Sequence, residues 1–205
     1  MCGIAGLLSR KHDDEALGTI LAAMNRVLAH RGPDGHGMFV AGGVGLAHRR
    51  LAIIDLTDAG HQPMVWHAGH LVIVYNGEVY NYIELRHSLE QLGHVFQGNS
   101  DTEVVLHAYG QWGECAFSMF NGMFALALYD TLADRLILVR DRVGIKPLFY
   151  RHVGGEFAFA SEMKAFFHLP DLVTRIDPDA FYHYLVYNTP PSPATLLGEV
   201  RQLPP

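Results

Sequence analysis

The feature that most constrains the fold is a series of four short apolar runs in the second half of the chain. They cover residues 123–130, 135–141, 148–152 and 156–160. Turn-forming residues separate the runs, including the pair at 154–155, where two glycines adjoin. Runs of this length joined by short turns are typical of successive β-hairpins. The series therefore predicts an antiparallel sheet.

Helical patterns flank this region on both sides. Asp13 or Asp14 can cap a helix with apolar residues at three-four spacing, and Ser100 with Glu103 has the spacing of a capping box. Asp177 is followed by proline at the first helical position. Further helices are predicted over 82–92 and 162–168, and further strands over 2–9, 38–40, 44–47, 51–55 and 71–75. Strand runs between helices indicate one α+β domain with layered sheets.

Three positions receive specific structural interpretations. The run Leu51–Asp55 is apolar at most positions, which is typical of a strand buried on both faces. The polar triplet at 76–78 follows a predicted strand and has the composition of a turn. Cys115 lies between apolar residues, which favours packing in the core.

Composition excludes several classes of protein. The 205 residues are 49% hydrophobic and 18% charged, which is unlike a disordered chain and sufficient for a sizeable core. A net charge of −6 without a Lys/Arg run argues against nucleic-acid binding. The longest apolar stretch, Met123–Tyr129, is far shorter than a membrane span of about 20 residues. With two cysteines there is no disulfide framework, so we expect a soluble, cytoplasmic protein without nucleic-acid or membrane partners.

The amino terminus carries a thiol at its second position. Removal of Met1 would leave Cys2 with both a thiol and a free α-amine. An amine with a pKa of about 7.7–8.0 can act as base for an adjacent thiol at neutral pH. The simpler alternative is that Cys2 is a small apolar residue at the start of a buried strand. Position alone leaves both alternatives open.

The thirteen histidines invite a metal-binding interpretation, but their spacing does not favour one. His67 and His70 are three residues apart beside His61, in a predicted loop, and neither cysteine belongs to a Cys-x-x-Cys pair. The glycine-rich stretches complete neither a dinucleotide fingerprint nor a phosphate-binding loop. The sequence predicts no metal site.

A few polar residues could complement a cysteine nucleophile acting on an amino-acid amide. Asn76 and Gly77 could donate hydrogen bonds to an oxyanion. Arg50 could bind a carboxylate, and Asp101 with Glu78 could bind an ammonium group. Each also has a simpler interpretation: Asn76 and Gly77 could form a turn, Arg50 could be a surface arginine, and Asp101 could cap a helix. Taken singly, these residues do not define a site.

The same residues fall within strings that occur in order along nearly the whole chain. The strings are MCGIAG (1–6), RGPDG (31–35), HRRLAIID (48–55), QPM (62–64), YNGEVYNY (75–82), SDTE (100–103), GMFALALYD (122–130), RDRVGIKPL (140–148) and ASEMK (160–164). This series is similar to the N-terminal glutaminase domain of glutamine-hydrolysing asparagine synthetases. That domain is a class II glutamine amidotransferase of the N-terminal-nucleophile (Ntn) type.

The resemblance implies a fold and a set of residue roles. The fold would be the four-layer αββα sandwich of Ntn hydrolases, with two antiparallel sheets flanked by helices and the active site between the sheets. Cys2 would be the nucleophile that forms a γ-glutamyl thioester, with Asn76 and Gly77 as the oxyanion hole. The remaining roles would be glutamine binding by Arg50, Leu51, Ala52, Ile53, Ile54, Glu78 and Asp101, and support of the N-terminal residue by Arg31.

The resemblance also implies a domain organisation. Residues 1–188 would form the amidotransferase domain, and the proline-rich residues 189–205 a linker toward a C-terminal synthetase domain. Glutamine would be the substrate, and ammonia would pass to that synthetase domain for ATP-dependent synthesis of asparagine from aspartate. No cofactor is expected in this chain, since ATP and Mg²⁺ would bind only in the synthetase domain. A homodimer is one of the assemblies left open.

Two alternatives compete with this interpretation. The domain could deliver ammonia to an acceptor other than aspartate, because the acceptor site would lie outside this chain. Alternatively, it could be a non-catalytic docking or regulatory module of the same fold. Loss of Cys2, Asn76 or Asp101 would have favoured such a module, and all three are present.

Overall fold

Two antiparallel β-sheets lie face to face in the computed structural model, which describes residues 1–66 and 70–205. The strands are β1 (Gly3–Leu8), β2 (Gly35–Ala41), β3 (Val44–Arg50), β4 (Met64–Trp66), β5 (Leu71–Val79), β6 (Gly122–Asp130), β7 (Arg135–Arg140), β8 (Phe149–Val153), β9 (Glu156–Ala160) and β10 (Val200–Gln202). One sheet has the order β10-β8-β9-β1-β3-β2 and the other the order β4-β5-β6-β7. Every pairing is antiparallel, as predicted.

Helices cover the outer face of each sheet. Within the described residues the α-helices are α1 (Asp14–Val27), α2 (Tyr82–Gln91), α3 (Asp101–Trp112), α4 (Cys115–Met119) and α5 (Pro178–Tyr187). Helix α1 and a short 3-10 helix over Met163–His168 pack on the six-stranded sheet, while α2, α3 and α4 pack beside the four-stranded sheet. The predicted four-layer αββα arrangement is therefore confirmed.

The alternation of side chains along the strands accounts for this layering. In β5, Val72 and Val74 point into the core between the two sheets, whereas Leu71, Ile73 and Tyr75 point into the core beneath the helices. Successive residues of a strand face opposite sides of a sheet, so one apolar strand can supply two cores. Both sheets are thus buried on two faces.

The predicted helix caps form. Asp13 accepts a hydrogen bond from the Ala16 amide at 2.8 Å, and Ser100 accepts one from the Glu103 amide at 3.3 Å. Asp177 accepts hydrogen bonds from the two amides at positions 179 and 180, both at 3.0 Å. Side-chain oxygens at these positions satisfy amides that have no partner within the helix. The starts of α1, α3 and α5 are thereby fixed.

The prediction of a buried strand over Leu51–Asp55 is wrong. This segment is an irregular loop after β3, and Ile53 is 58% exposed. Arg50 donates hydrogen bonds to the carbonyl oxygens of Asp55 and Thr57, which curls the chain back on itself. Contacts of one arginine thus override an apolar pattern that is typical of a strand.

The prediction of a turn at residues 76–78 is also wrong, because β5 continues through them to Val79. Gly77 pairs with Phe124 in the register of β5 and β6. A Cβ atom at residue 77 would lie 2.4 Å from the carbonyl oxygen of Met123. The glycine therefore serves a close approach of two strands rather than a turn.

Cys115 does not pack in the core as predicted. It is exposed at the first position of α4, whereas the next residue, Ala116, is buried. Ala116, and not Cys115, therefore lies on the core-facing side of α4, although the neighbours of Cys115 in the sequence are apolar.

The proline-rich end of the chain packs partly against the domain. Residues of β10 pair with β8, and Val200 is fully buried. The main chain at Leu203 donates to Leu148 at 2.8 Å and accepts from Arg140 at 2.7 Å. The division into a domain over 1–188 and a linker over 189–205 stays a prediction, with β10 as a structured part of that segment.

No helix within residues 1–66 and 70–205 combines the length and the apolar character needed to cross a membrane.

Candidate active site

A cavity of about 230 Å³ opens beside Cys2, which immediately precedes β1. Its walls come from the end of β3, the loop at 51–55, the second half of β5 and the start of α3. The predicted site residues that line the cavity are Cys2, Arg50, Leu51, Ala52, Ile53, Ile54, Asn76, Gly77, Glu78 and Asp101. The structure thus brings together residues that are distant in the sequence, and their chemical roles stay predictions.

The sulfur of Cys2 is held by the main chain of Leu51. The amide of Leu51 donates to Sγ at 3.3 Å, and the thiol donates to the Leu51 carbonyl oxygen at 3.6 Å. These contacts come from the loop that was predicted as a strand. Irregular backbone at this point leaves the amide and carbonyl of Leu51 free to face the sulfur rather than a neighbouring strand.

Burial raises the pKa of the Cys2 thiol. The hydrogen bond from Leu51, the positive amino terminus and Arg50 act in the opposite direction and do not outweigh burial. At neutral pH the side chain is therefore a thiol, and nucleophilic attack requires a base to take its proton.

Arg31 supports Cys2 from behind and does not line the cavity. Its Nε donates to the carbonyl oxygen of Cys2 at 2.8 Å, and its Nη1 donates to Glu162 Oε1 at 2.8 Å. Burial alone would raise the pKa of Glu162, but Arg31, His30 and Lys164 outweigh this and lower it to about 2. Glu162 is thus ionised at neutral pH and anchors the guanidinium that holds Cys2.

Asn76 presents an unused hydrogen-bond donor. Its side chain is 1% exposed, and its Nδ2 has no hydrogen-bond partner in the described part of the chain. Leaving a buried amide donor unpaired costs about 1–3 kcal/mol. Because Asn76 lines the cavity, a ligand oxygen can supply the missing acceptor.

Arg50 both stabilises the loop at 51–55 and lines the cavity. While two of its nitrogens hold the carbonyl oxygens of Asp55 and Thr57, its side chain lines the cavity. Asp55 in turn accepts from the Asn99 amide at 2.9 Å, which ties the loop to the segment before α3. Arg50 therefore shapes the loop at 51–55 in addition to placing positive charge at the site.

Asp101 lies at the start of α3 with its carboxylate buried. Its Oδ2 accepts from the Tyr75 hydroxyl at 2.7 Å and from the Val79 amide at 3.0 Å. Burial raises the pKa of Asp101, and these two hydrogen bonds only partly oppose that effect. The simple interpretation as a helix cap does not apply, because Ser100 occupies the cap position.

The cavity residues that were not predicted include Gln62, Tyr75, Met123 and Lys146. Gln62 bridges the site by accepting from the Tyr75 amide at 2.6 Å and donating to Thr102 at 3.2 Å. All four belong to, or adjoin, the ordered strings of the sequence. Nothing local distinguishes them there, because only the tertiary structure places them on the cavity.

Among the described residues, no group of three or more His, Cys, Asp or Glu side chains is arranged to hold a metal ion. His67, one of the histidines considered in the sequence, lies outside the described residues. The polar groups on the cavity are instead a thiol, an unpaired amide and charged groups of both signs.

Comparison with known families identifies the domain. A family model for the glutamine amidotransferase domain matches residues 1–205. The chain belongs to the glutamine amidotransferase family.

Curated relatives of this amidotransferase are named as asparagine synthetases. The chain is 39% identical over 210 residues to glutamine-hydrolysing asparagine synthetase 1 of Bacillus subtilis, covering all of this chain and 32% of that protein. It is 35% identical over 223 residues to a putative glutamine-hydrolysing asparagine synthetase 2 of Methanocaldococcus jannaschii, covering 99% and 42%. The chain thus spans less than half the length of these relatives.

A solved structure shares the fold of the amidotransferase. Glutamine phosphoribosylpyrophosphate amidotransferase of Bacillus subtilis, in complex with ADP and GMP, superposes with a TM-score of 0.68 at 25% identity. The match covers 80% of this chain and 43% of the other. The Ntn-type sandwich implied by the sequence is therefore confirmed.

Proposed function

We propose that this domain hydrolyses glutamine to glutamate and ammonia through a thioester on Cys2. The observation that carries the proposal is the pairing, on one cavity, of the Cys2 thiol with the unpartnered Asn76 amide. A nucleophile and an oxyanion donor on one small cavity are the two elements that acyl transfer requires.

The reaction requires that Met1 be removed. The freed α-amine of Cys2 then takes the thiol proton, and the sulfur attacks the γ-carbonyl carbon of glutamine. The carbonyl electron pair moves to oxygen and returns as the carbon–nitrogen bond breaks, and the α-ammonium gives its proton to the departing ammonia. Water then attacks the thioester carbon while the α-amine takes one of its protons, and the carbon–sulfur bond breaks with the sulfur leaving as thiolate. The α-ammonium returns that proton to the thiolate, and the γ-carboxylic acid loses its proton to solvent as glutamate is released.

Other residues at the cavity stabilise the oxyanion and bind the substrate. Asn76 Nδ2 and the amide of Gly77 donate to the oxyanion, which matches their place on the cavity wall. Asp101 and Glu78 bind the α-ammonium of glutamine, and Arg50 its α-carboxylate. Leu51, Ala52, Ile53 and Ile54 form the wall along the substrate, and Arg31 fixes the carbonyl of Cys2.

We further propose that the ammonia serves asparagine synthesis in a longer chain. The names of the curated relatives and the fraction of their length that this chain matches support this acceptor. ATP and Mg²⁺ would act in that additional part, which would complete the activation of aspartate. A cytoplasmic location is the proposed setting for the reaction.

Glutamate release from glutamine tests the proposed hydrolysis. The protein without Met1 should produce glutamate, and Cys2→Ala should reduce the rate to background because no other thiol reaches the cavity. Cys115→Ala is the matched control, since Cys115 is exposed and does not line the cavity. Retained hydrolysis in Cys2→Ala, or none in the processed parent protein, would contradict the proposal.

A further inference from the structure

Lys146 is a nearly buried cation on the cavity wall. The residue is 5% exposed, and within residues 1–66 and 70–205 its ammonium has no hydrogen bond or ion pair. Two other ionic groups of the cavity are engaged within the protein: the half-buried Arg50 holds two carbonyl oxygens, and the buried Asp101 accepts from Tyr75 and Val79. Lys146 Nζ is not among the fully enclosed atoms, so the ammonium meets the solvent of the cavity, where a ligand anion can pair with it. The structure therefore leaves a place for a negative charge from a ligand.

The main chain fixes Lys146 beside the strand that carries Gly77. One carboxylate oxygen of Asp141 accepts from the amides of Lys146, at 3.0 Å, and Phe124, at 3.2 Å. Phe124 is the register partner of Gly77 across β5 and β6. The carbonyl oxygen of Lys146 in turn accepts from Arg140 Nε at 2.6 Å. Lys146 thus belongs to the wall that contains the proposed oxyanion donors.

Arg50 approaches the cavity from the other sheet. It ends β3 of the six-stranded sheet, whereas the wall beside Lys146 is built on β5 and β6 of the four-stranded sheet. Two cations on different walls are suited to a ligand with negative charge at both ends. Glutamine has a carboxylate at one end only, but the tetrahedral intermediates and the product glutamate carry negative charge at the γ end as well.

We propose that Lys146 is a catalytic residue whose ammonium pairs with the negative charge that arises at the γ end of the substrate during hydrolysis. The inference rests on the proposed glutaminase function. The charge arises when the sulfur–carbon bond forms and the carbonyl electron pair moves to oxygen. It arises again when water attacks the thioester, and it persists on the γ-carboxylate of glutamate.

Glutamine and glutamate differ only at the γ end, so their relative affinity isolates this contact. The binding experiment uses Cys2→Ala protein, which cannot turn the substrate over, and calorimetric titration with each amino acid. Adding Lys146→Met should weaken glutamate binding by about 10-fold or more, as expected for a charge-assisted hydrogen bond. Glutamine binding should change by less than about 3-fold, and Lys146→Arg should restore part of the affinity for glutamate.

Lys11→Met is the matched control, because that side chain is 55% exposed and pairs with Glu156 away from the cavity. In protein with Cys2 intact, Lys146→Met should lower kcat for glutamine with little change in KM. Equal weakening of both ligands would place Lys146 at the α-carboxylate and overturn the inference, as would unchanged binding of both. If Cys2→Ala protein binds neither amino acid, the proposed function itself fails, and the inference with it.

Discussion

Asn76 is unfavourable for the stability of the domain, because its buried amide has no hydrogen-bond acceptor, and it lies on the same cavity as the half-buried thiol of Cys2. Burial raises the pKa of the thiol, and Asn76 Nδ2 lacks an acceptor. Proteins satisfy nearly all buried polar groups, so an unsatisfied donor on a cavity requires an explanation. Recognition of a carboxamide oxygen explains it, because that oxygen would accept from Asn76 while its carbon faces the sulfur.

Asn76→Ala tests this explanation at the level of one residue. We expect kcat for glutamine hydrolysis to fall by about 10²–10³-fold, the usual effect of removing one oxyanion donor, with a smaller change in KM. Steady-state kinetics of glutamate release measures both parameters. Asn121→Ala serves as control, because Asn121 is exposed and does not line the cavity. A kcat within about 2-fold of the parent would remove Asn76 from the mechanism.

At the scale of elements, patterns that depend on neighbouring residues predict the structure well. The caps at Asp13, Ser100 and Asp177 and the hairpins after residue 123 are confirmed. The loop at 51–55 was not predictable in this way, because its shape depends on hydrogen bonds that Arg50 makes with the loop itself and on one from Ala52 to Asp34. An apolar run can indicate either a buried strand or the wall of a binding cavity. Here Ile53 and Ile54 line a cavity instead of packing in a core.

The site residues also divide into those that the sequence predicts and those that only the tertiary structure places at the cavity. Cys2, Asn76 and Asp101 were predicted through their place in ordered strings, whereas Lys146 lies in such a string without any local sign of its burial. Residues that meet only through sheet packing cannot be paired from spacing alone. The Asp141 carboxylate, which binds both Phe124 and Lys146, is the kind of link that becomes visible only in three dimensions.

The contact between Glu162 and Arg31 links two elements and should make stability depend on pH. The pKa of Glu162 is lowered from 4.5 to about 2, so its stabilising contribution is present above pH 4.5 and is lost as the pH falls toward 2. Glu162→Gln should therefore be less stable than the parent at pH 6, and the difference should shrink as the pH falls below 4.5. Urea unfolding at several pH values measures it, and a difference that stays constant with pH would contradict this account.

On the scale of the whole molecule, three apolar cores stack through the four layers. One lies between the two sheets, and one lies between each sheet and its helices. The segment after residue 188 contributes to this stack through Val200, which packs in the core beneath α1. The packed part of the molecule therefore includes β10, which lies after residue 188.

Truncation tests the contribution of this segment. A chain that ends at residue 188 loses β10 and the burial of Val200, which is worth about 1.5–3 kcal/mol for a valine side chain. We expect Tm to fall by at least about 4 °C in a calorimetric scan. A chain that ends at Leu203 lacks only the exposed Pro204 and Pro205 and should keep the Tm of the parent. Equal Tm values for all three chains would show that β10 adds nothing to stability.

The central claim, that Cys2 at a free amino terminus attacks glutamine, is tested most directly by intact mass spectrometry. The protein would be measured before and after exposure to an electrophilic glutamine analogue, with Cys2→Ala and Cys115→Ala beside it. We predict loss of Met1 and one adduct, absent in Cys2→Ala and retained in Cys115→Ala. A processed protein that forms no adduct, or an adduct that persists in Cys2→Ala, would contradict the claim.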